Sequence, residues 1–117
     1  MSEEKLKSLV NQFPAYSEIF KAVYNWFIAH PKSKDVSIDM FCEFKKRFQR
    51  EEISIAFTLM KQNLLLQSVY RVIDEDGTRM GDGFYSYDDI PQYIDDSWGH
   101  KKHIDDLYIV PFYSLNL

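Results

Sequence analysis

Two histidines, His100 and His103, stand three residues apart between the acidic pairs Asp95-Asp96 and Asp105-Asp106. On a helix that spacing would put both imidazoles on one face, where they could share a transition metal with a carboxylate. Lys101 and Lys102 fall between them and Trp98-Gly99 precedes them, so the pattern predicts a solvated polar loop instead. Asp74-Glu75-Asp76-Gly77, with Asp82, offers the hard oxygens that calcium prefers. The bidentate glutamate of a calcium loop is missing at the required distance, and a hairpin turn accounts for the same residues. Cys42 is the only cysteine, with no histidine or asparagine at a diagnostic spacing, which predicts neither a disulfide nor a thiol nucleophile. No glycine loop for phosphate and no serine elbow is present. These residues point away from catalysis, and no metal or cofactor is expected.

What remains is a chemistry of surfaces. Tyr85, Tyr87, Tyr93, Tyr108 and Tyr113, with Trp98, lie among the acids of the C-terminal third. Tyrosine and tryptophan combine contact area with a polar handle, which suits them to interface cores. Some of these rings must also complete a small core. The acidic-aromatic set expected to bind a partner is Asp74, Glu75, Asp76, Asp82, Tyr87, Asp88, Asp89, Tyr93, Asp95, Asp96 and Trp98. Its natural complement is a protein surface bearing lysine and arginine. A competing set is basic: Lys45, Lys46, Arg47, Arg50 and Lys61 could meet phosphates and give salt-dependent DNA binding. Glu43, Glu51 and Glu52 stand beside that cluster, so a solvated, locally neutralised helix end is the stronger reading.

Net charge over the 117 residues is −4, and it is unevenly placed. Residues 1–70 hold ten Lys/Arg against eight Asp/Glu, whereas residues 71–117 hold four against ten. An acidic half repels a polyanion. The length is that of one domain, and 45% hydrophobic residues suffice for a single packed core. The first residues alternate charge and polarity without an apolar run, and no stretch approaches a membrane span. With a lone cysteine, a cytoplasmic protein is the expectation.

The elements that must position these groups read off the apolar spacing. Leu6, Leu9, Val10 and Phe13 predict an N-terminal helix over 3–13. A broad stripe from Tyr16 to Ile28 predicts a deeply buried helix, stopped at His30-Pro31. Residues 32–35 read as a loop and Val36 as a one-bridge strand. Ser37 caps a helix on Ile38, Phe41, Phe44 and Phe48, whose C-terminal end gathers the basic cluster. Glu51 and Glu52 open a third helix, on Ile53, Ala56, Phe57 and Met60, which stops at Gln62-Asn63. Residues 64–73 read as strand, Asp74 to Gly77 as a turn, and Gly81-Asp82-Gly83 as an interruption before Phe84-Tyr85 resumes. A short turn is expected around 90–94, and residues 107–113 as an edge strand, because Pro111 cannot donate to a ladder.

Ser37-Ile38-Asp39-Met40-Phe41, followed by Ala56 through Leu65 and by Tyr70-Arg71-Val72, resembles the winged helix-turn-helix superfamily over residues 16–86. The resemblance implies an α+β fold: a three-helix core, a small antiparallel wing, an N-terminal helix and a C-terminal strand extension over 87–117, in one domain. In that fold the third helix would read DNA, yet residues 51–62 contain one lysine and two glutamates. The expected function is therefore a non-enzymatic interaction module, an adaptor or small subunit, whose partner has a basic surface and could be a second copy. A DNA-binding regulator is the runner-up. A small antitoxin-like or immunity protein, its acidic face capping a basic active site, is the third reading.

Overall fold

The computed structural model describes residues 2–32, 36–96 and 98–116. Among these, four α-helices and five strands alternate with short 3-10 turns, giving an α+β chain. The loop expected at 32–35 lies, from Ser33 onward, outside the described residues.

The helices follow the apolar spacing closely at first. Helix α1 spans Ser2–Gln12 and α2 spans Ser17–Ala29, the latter entered through a single 3-10 turn that begins at Pro14. Helix α3, Ile38–Phe44, starts at Ser37, whose hydroxyl accepts a hydrogen bond from Met40 N–H at 3.2 Å. It ends one turn earlier than the spacing of Phe48 suggested. Lys45 caps it and Phe48 N–H turns back to the Lys45 carbonyl at 3.2 Å. The basic residues therefore do not ride a helix C-terminus: Lys46 and Arg47 lie in the turn, and Arg50 opens α4.

Helix α4, Arg50–Gln62, begins where Glu52 accepts the Gln49 N–H at 3.2 Å. Its end is a Schellman motif: Leu65 N–H reaches the Met60 carbonyl at 2.9 Å and Leu64 N–H the Lys61 carbonyl at 3.0 Å. The helix stops at Gln62-Asn63 as expected, and the left-handed residue is the next one, Leu64, at φ 63°. Leu65 is buried, and that contact holds the exposed Leu64 in a conformation that costs a leucine about 1 kcal/mol.

Strands β1 (Leu66–Ile73), β2 (Arg79–Phe84) and β5 (Tyr108–Leu115) form one sheet in the order β2-β1-β5. Between them β3 (Tyr93–Asp95) and β4 (Lys101–His103) make a separate antiparallel hairpin. The interruption expected at Gly81-Asp82-Gly83 is an irregularity inside β2: Tyr70 pairs with Phe84, but two residues on Val72 pairs with Met80. Gly83 is required there, since a Cβ on it would stand 2.3 Å from Val69 Cγ1. The turn expected around 90–94 is a 3-10 turn at Tyr87–Asp89, with Tyr93 already in a strand.

The described chain divides into two compact units, Met1–Ser68 with Tyr113–Leu117, and Val69–Phe112. The first holds the larger core, built on Leu9, Phe20, Val23, Phe27, Phe41, Ile53, Phe57 and Met60. Tyr113 joins that core: its ring meets Phe57 edge-on at 4.9 Å, and its backbone bonds Val36 in both directions, at 2.8 and 3.1 Å. The second unit has a small core of Val72, Met80 and Ile94, flanked by Phe84, Ile90, Ile104 and Leu107. No helix among the described residues is long and apolar enough to cross a membrane.

Phe57→Ala should cost about 3–5 kcal/mol in denaturant unfolding, because the cavity opens where three helices and Tyr113 meet. Leu64→Gly should instead stabilise by about 1 kcal/mol, by removing the left-handed strain. A destabilised Leu64→Gly protein would contradict the cap assignment.

Candidate functional site

The histidines fall in a setting unlike a shared helix face. His103 lies on β4, opposite Tyr93, with the two rings edge-on at 5.0 Å. Its Nδ1 accepts from Asp105 N–H at 3.1 Å, whereas His100 Nδ1 is 3.7 Å from Asp96 Oδ2. Among the described residues no three His, Cys, Asp or Glu side chains gather as a metal set. The stretch is a hairpin and not the open loop anticipated from Trp98-Gly99. Cys42 is half-buried, and burial, followed by the neighbouring Glu43, pushes its thiol above the ordinary value. A thiol so held is a poor nucleophile at neutral pH.

The basic set is dispersed by local partners. Lys46 Nζ is 3.7 Å from Glu43, Arg50 pairs with Asp39, and the Arg47 guanidinium sits 4.4 Å over the Phe48 ring. Lys61 is half-buried in the last turn of α4. Along α4, Glu51, Ile55, Thr58 and Gln62 recur at helical spacing and are exposed. That face could offer a duplex little for phosphate contact.

The acidic-aromatic set, in contrast, falls entirely within Val69–Phe112. Those residues carry four Lys/Arg against ten Asp/Glu, so the charge boundary seen in the sequence coincides with the boundary of a compact unit. Trp98 is 83% exposed, and Tyr85, Tyr87, Tyr93 and Tyr108 are exposed too. Apart from Phe84 and Phe112 the unit's buried side chains are aliphatic, so these exposed rings do not fill its core. Tyr24 and Tyr113 are buried in the larger core, and Tyr16 packs against it. Tyr85 and Tyr108 belong with the exposed set, although only the tyrosines nearest the acid runs were placed in the candidate site.

Two of the acids work within the chain. Asp74 Oδ1 accepts from Asp76 and Thr78 N–H, both at 2.9 Å, and Gly77 takes φ 83°. Asp96 Oδ1 accepts from Trp98 and His100 N–H, again both at 2.9 Å, and Gly99 takes φ 82°. An aspartate that accepts from the N–H groups two and four residues on, with a left-handed glycine three residues on, thus occurs twice, at Asp74 and at Asp96, and the Asp-x-x-Gly spacing is its signal in the sequence. A cleft of about 400 Å³ is lined by residues of both turns, with Asp76 and Trp98 at equivalent positions and Asp95, Arg79 and Lys102 beside them. Glu75, Asp76, Asp82, Asp88, Asp89 and Asp95 are exposed and free of such turn duties in the bonds just described.

Comparisons of the chain with protein-family models, with curated proteins and with solved structures find no match. An exposed ring on a hairpin, with carboxylates beside it, can stack on and neutralise a partner's lysines and arginines.

The hydrogen bond from His100 N–H, with that from Trp98 and the nearby His100 and Lys102 charges, holds the Asp96 carboxyl below its ordinary pKa against the opposing effect of burial. A depressed folded pKa means that the turn's support is present above the unfolded pKa and is lost as pH falls through the folded one. Carboxyl-carbon NMR should show Asp96 titrating below the ordinary aspartate value. Asp96→Ala should speed amide exchange at Trp98 and His100 at neutral pH while leaving α2 and α4 protected. An ordinary midpoint, with unchanged exchange in the variant, would remove Asp96 as the organiser of the tip.

Proposed function

We propose that this chain is a non-enzymatic winged-helix interaction module that acts in the cytosol by docking a basic protein through the aromatic and acidic surface of residues 69–112. The winged-helix reading is supported by element order: α2, the Val36 bridge, α3, α4 and β1 follow one another as that fold requires. On this reading β5, which takes the Val36 bridge, is the second wing strand, and residues 74–107 are an elaboration of the wing tip.

The observation that carries the functional reading is Trp98, held out by a hairpin within the unit that concentrates the acids. A large ring displayed in water costs solubility unless it is used, and exposed aromatics among charges are typical of interface anchors. The helix that would read DNA points Glu51, Ile55, Thr58 and Gln62 outward, which argues against the regulator reading.

Affinity capture from the cell that makes the protein tests this directly. The wild type should enrich a basic protein. Asp88→Lys with Asp89→Lys, and separately Trp98→Ala, should reduce that enrichment at least tenfold, with unchanged circular dichroism. In parallel, random duplex DNA at low salt should give no saturable anisotropy change. Unchanged capture by both variants would remove this surface, and tight binding of DNA that falls steeply with salt would favour a regulator using Lys45, Lys46 and Arg47.

A further inference from the structure

The molecule that concentrates acids on one unit also carries an aromatic face edged with cations on the other. On α3, Met40 and Phe44 are exposed one turn apart. The Phe44 ring stacks on Trp26 at 5.1 Å and 11°, and Trp26 also stacks with His30 at 4.3 Å and 20°. Trp26 packs against the core through Phe27 and Phe41 but is only half-buried, and His30 and Phe44 are exposed, so the stack carries the core's aromatic contacts out to the surface. Lys45, Lys46 and Arg47 follow Phe44 directly. Glu43 engages Lys46 and Asp39 engages Arg50, which leaves Lys45 and Arg47 without a carboxylate partner among the described residues.

A face of this kind complements an acidic surface studded with aromatic rings, and residues 69–112 present one. Two acidic units meeting each other would set like charge against like, which disfavours that contact. A contact between unlike faces avoids it. We infer that the ring stack of α2 and α3, with Lys45 and Arg47, docks the acidic unit of a second copy of this chain, so that copies associate head to tail. The inference rests on the docking role given above to residues 69–112, and it names the basic partner as the chain itself. A heterologous contact of this type joins different patches on the two copies, so each copy keeps one donor and one acceptor face. Attraction between exposed charges is screened by salt, which makes the association salt-sensitive.

Sedimentation velocity on the full chain reads this out. At low salt the average mass should rise above the monomer with protein concentration, and high salt should return it to the monomer. Lys45→Glu with Arg47→Glu should be monomeric, as should Asp76→Lys with Asp95→Lys. An equimolar mixture of these two variants should recover a complex containing both, because each reversed face then meets its opposite on the other variant. Circular dichroism checks that both variants are folded. If either does not fold, Phe44→Ala replaces the first and Trp98→Ala the second, each expected to weaken wild-type association at least tenfold. A wild type that stays monomeric at low salt at every concentration overturns the inference, as does association unaffected by the variants. In those cases capture of a different basic protein, sensitive to Asp88 and Asp89, would still uphold the docking role, whereas loss of both results would end it.

Discussion

The structure depends on where Tyr113 is held. Its two backbone bonds to Val36 and its ring against Phe57 return the chain to the helical core after an excursion of more than forty residues. Asn116 adds a further bond, from its N–H to the Leu65 carbonyl at 2.9 Å, just where α4 hands over to β1. Closing so long a segment is costly in chain entropy only through its logarithm, so a few well-buried contacts at the base suffice. Everything between Val69 and Phe112 can therefore vary in charge and surface character without disturbing Phe20, Phe27 and Phe57.

That freedom explains how one short chain carries two surfaces of opposite tendency. The helical unit invests most of its large rings in a core, and two of its cations, Lys46 and Arg50, are matched by neighbouring carboxylates. Among its described residues the excursion buries Val72, Met80, Ile94 and Phe112, a small set, so it leans on turn chemistry for its shape. Asp74 and Asp96 each fasten a turn through two backbone donors, and Gly77 and Gly99 supply the left-handed residue that each turn needs. Acids thus serve both as internal fasteners and as surface charge, and the distinction is visible only once their bonds are known.

Much of the helical part was legible because large apolar residues recur at helical spacing over α2 and α4, and because Ser37 is a strong cap. Phe48 misled, since it continues the spacing of Ile38, Phe41 and Phe44 although the chain turns at Lys45. Asn63 marked the helix stop correctly, but the left-handed geometry falls on its neighbour. Preference for left-handed geometry favours asparagine, but burial of Leu65 sets the register of the cap and places Leu64 at positive φ. The β3–β4 hairpin escaped because each strand is three residues long, too short for alternation to show. The acidic-aromatic set was found as a list of neighbours in sequence. Its gathering in one unit, and the exposure of Trp98, required the fold.

The central claim is that residues 69–112, and not helix α4, meet the partner. A photo-crosslinking amino acid placed at Trp98, and in a second protein at Ile55, tests it in the cell that makes the chain. The account predicts a discrete crosslinked species from position 98 and none from position 55. Crosslinks from position 55 alone, to protein or to nucleic acid, would contradict it.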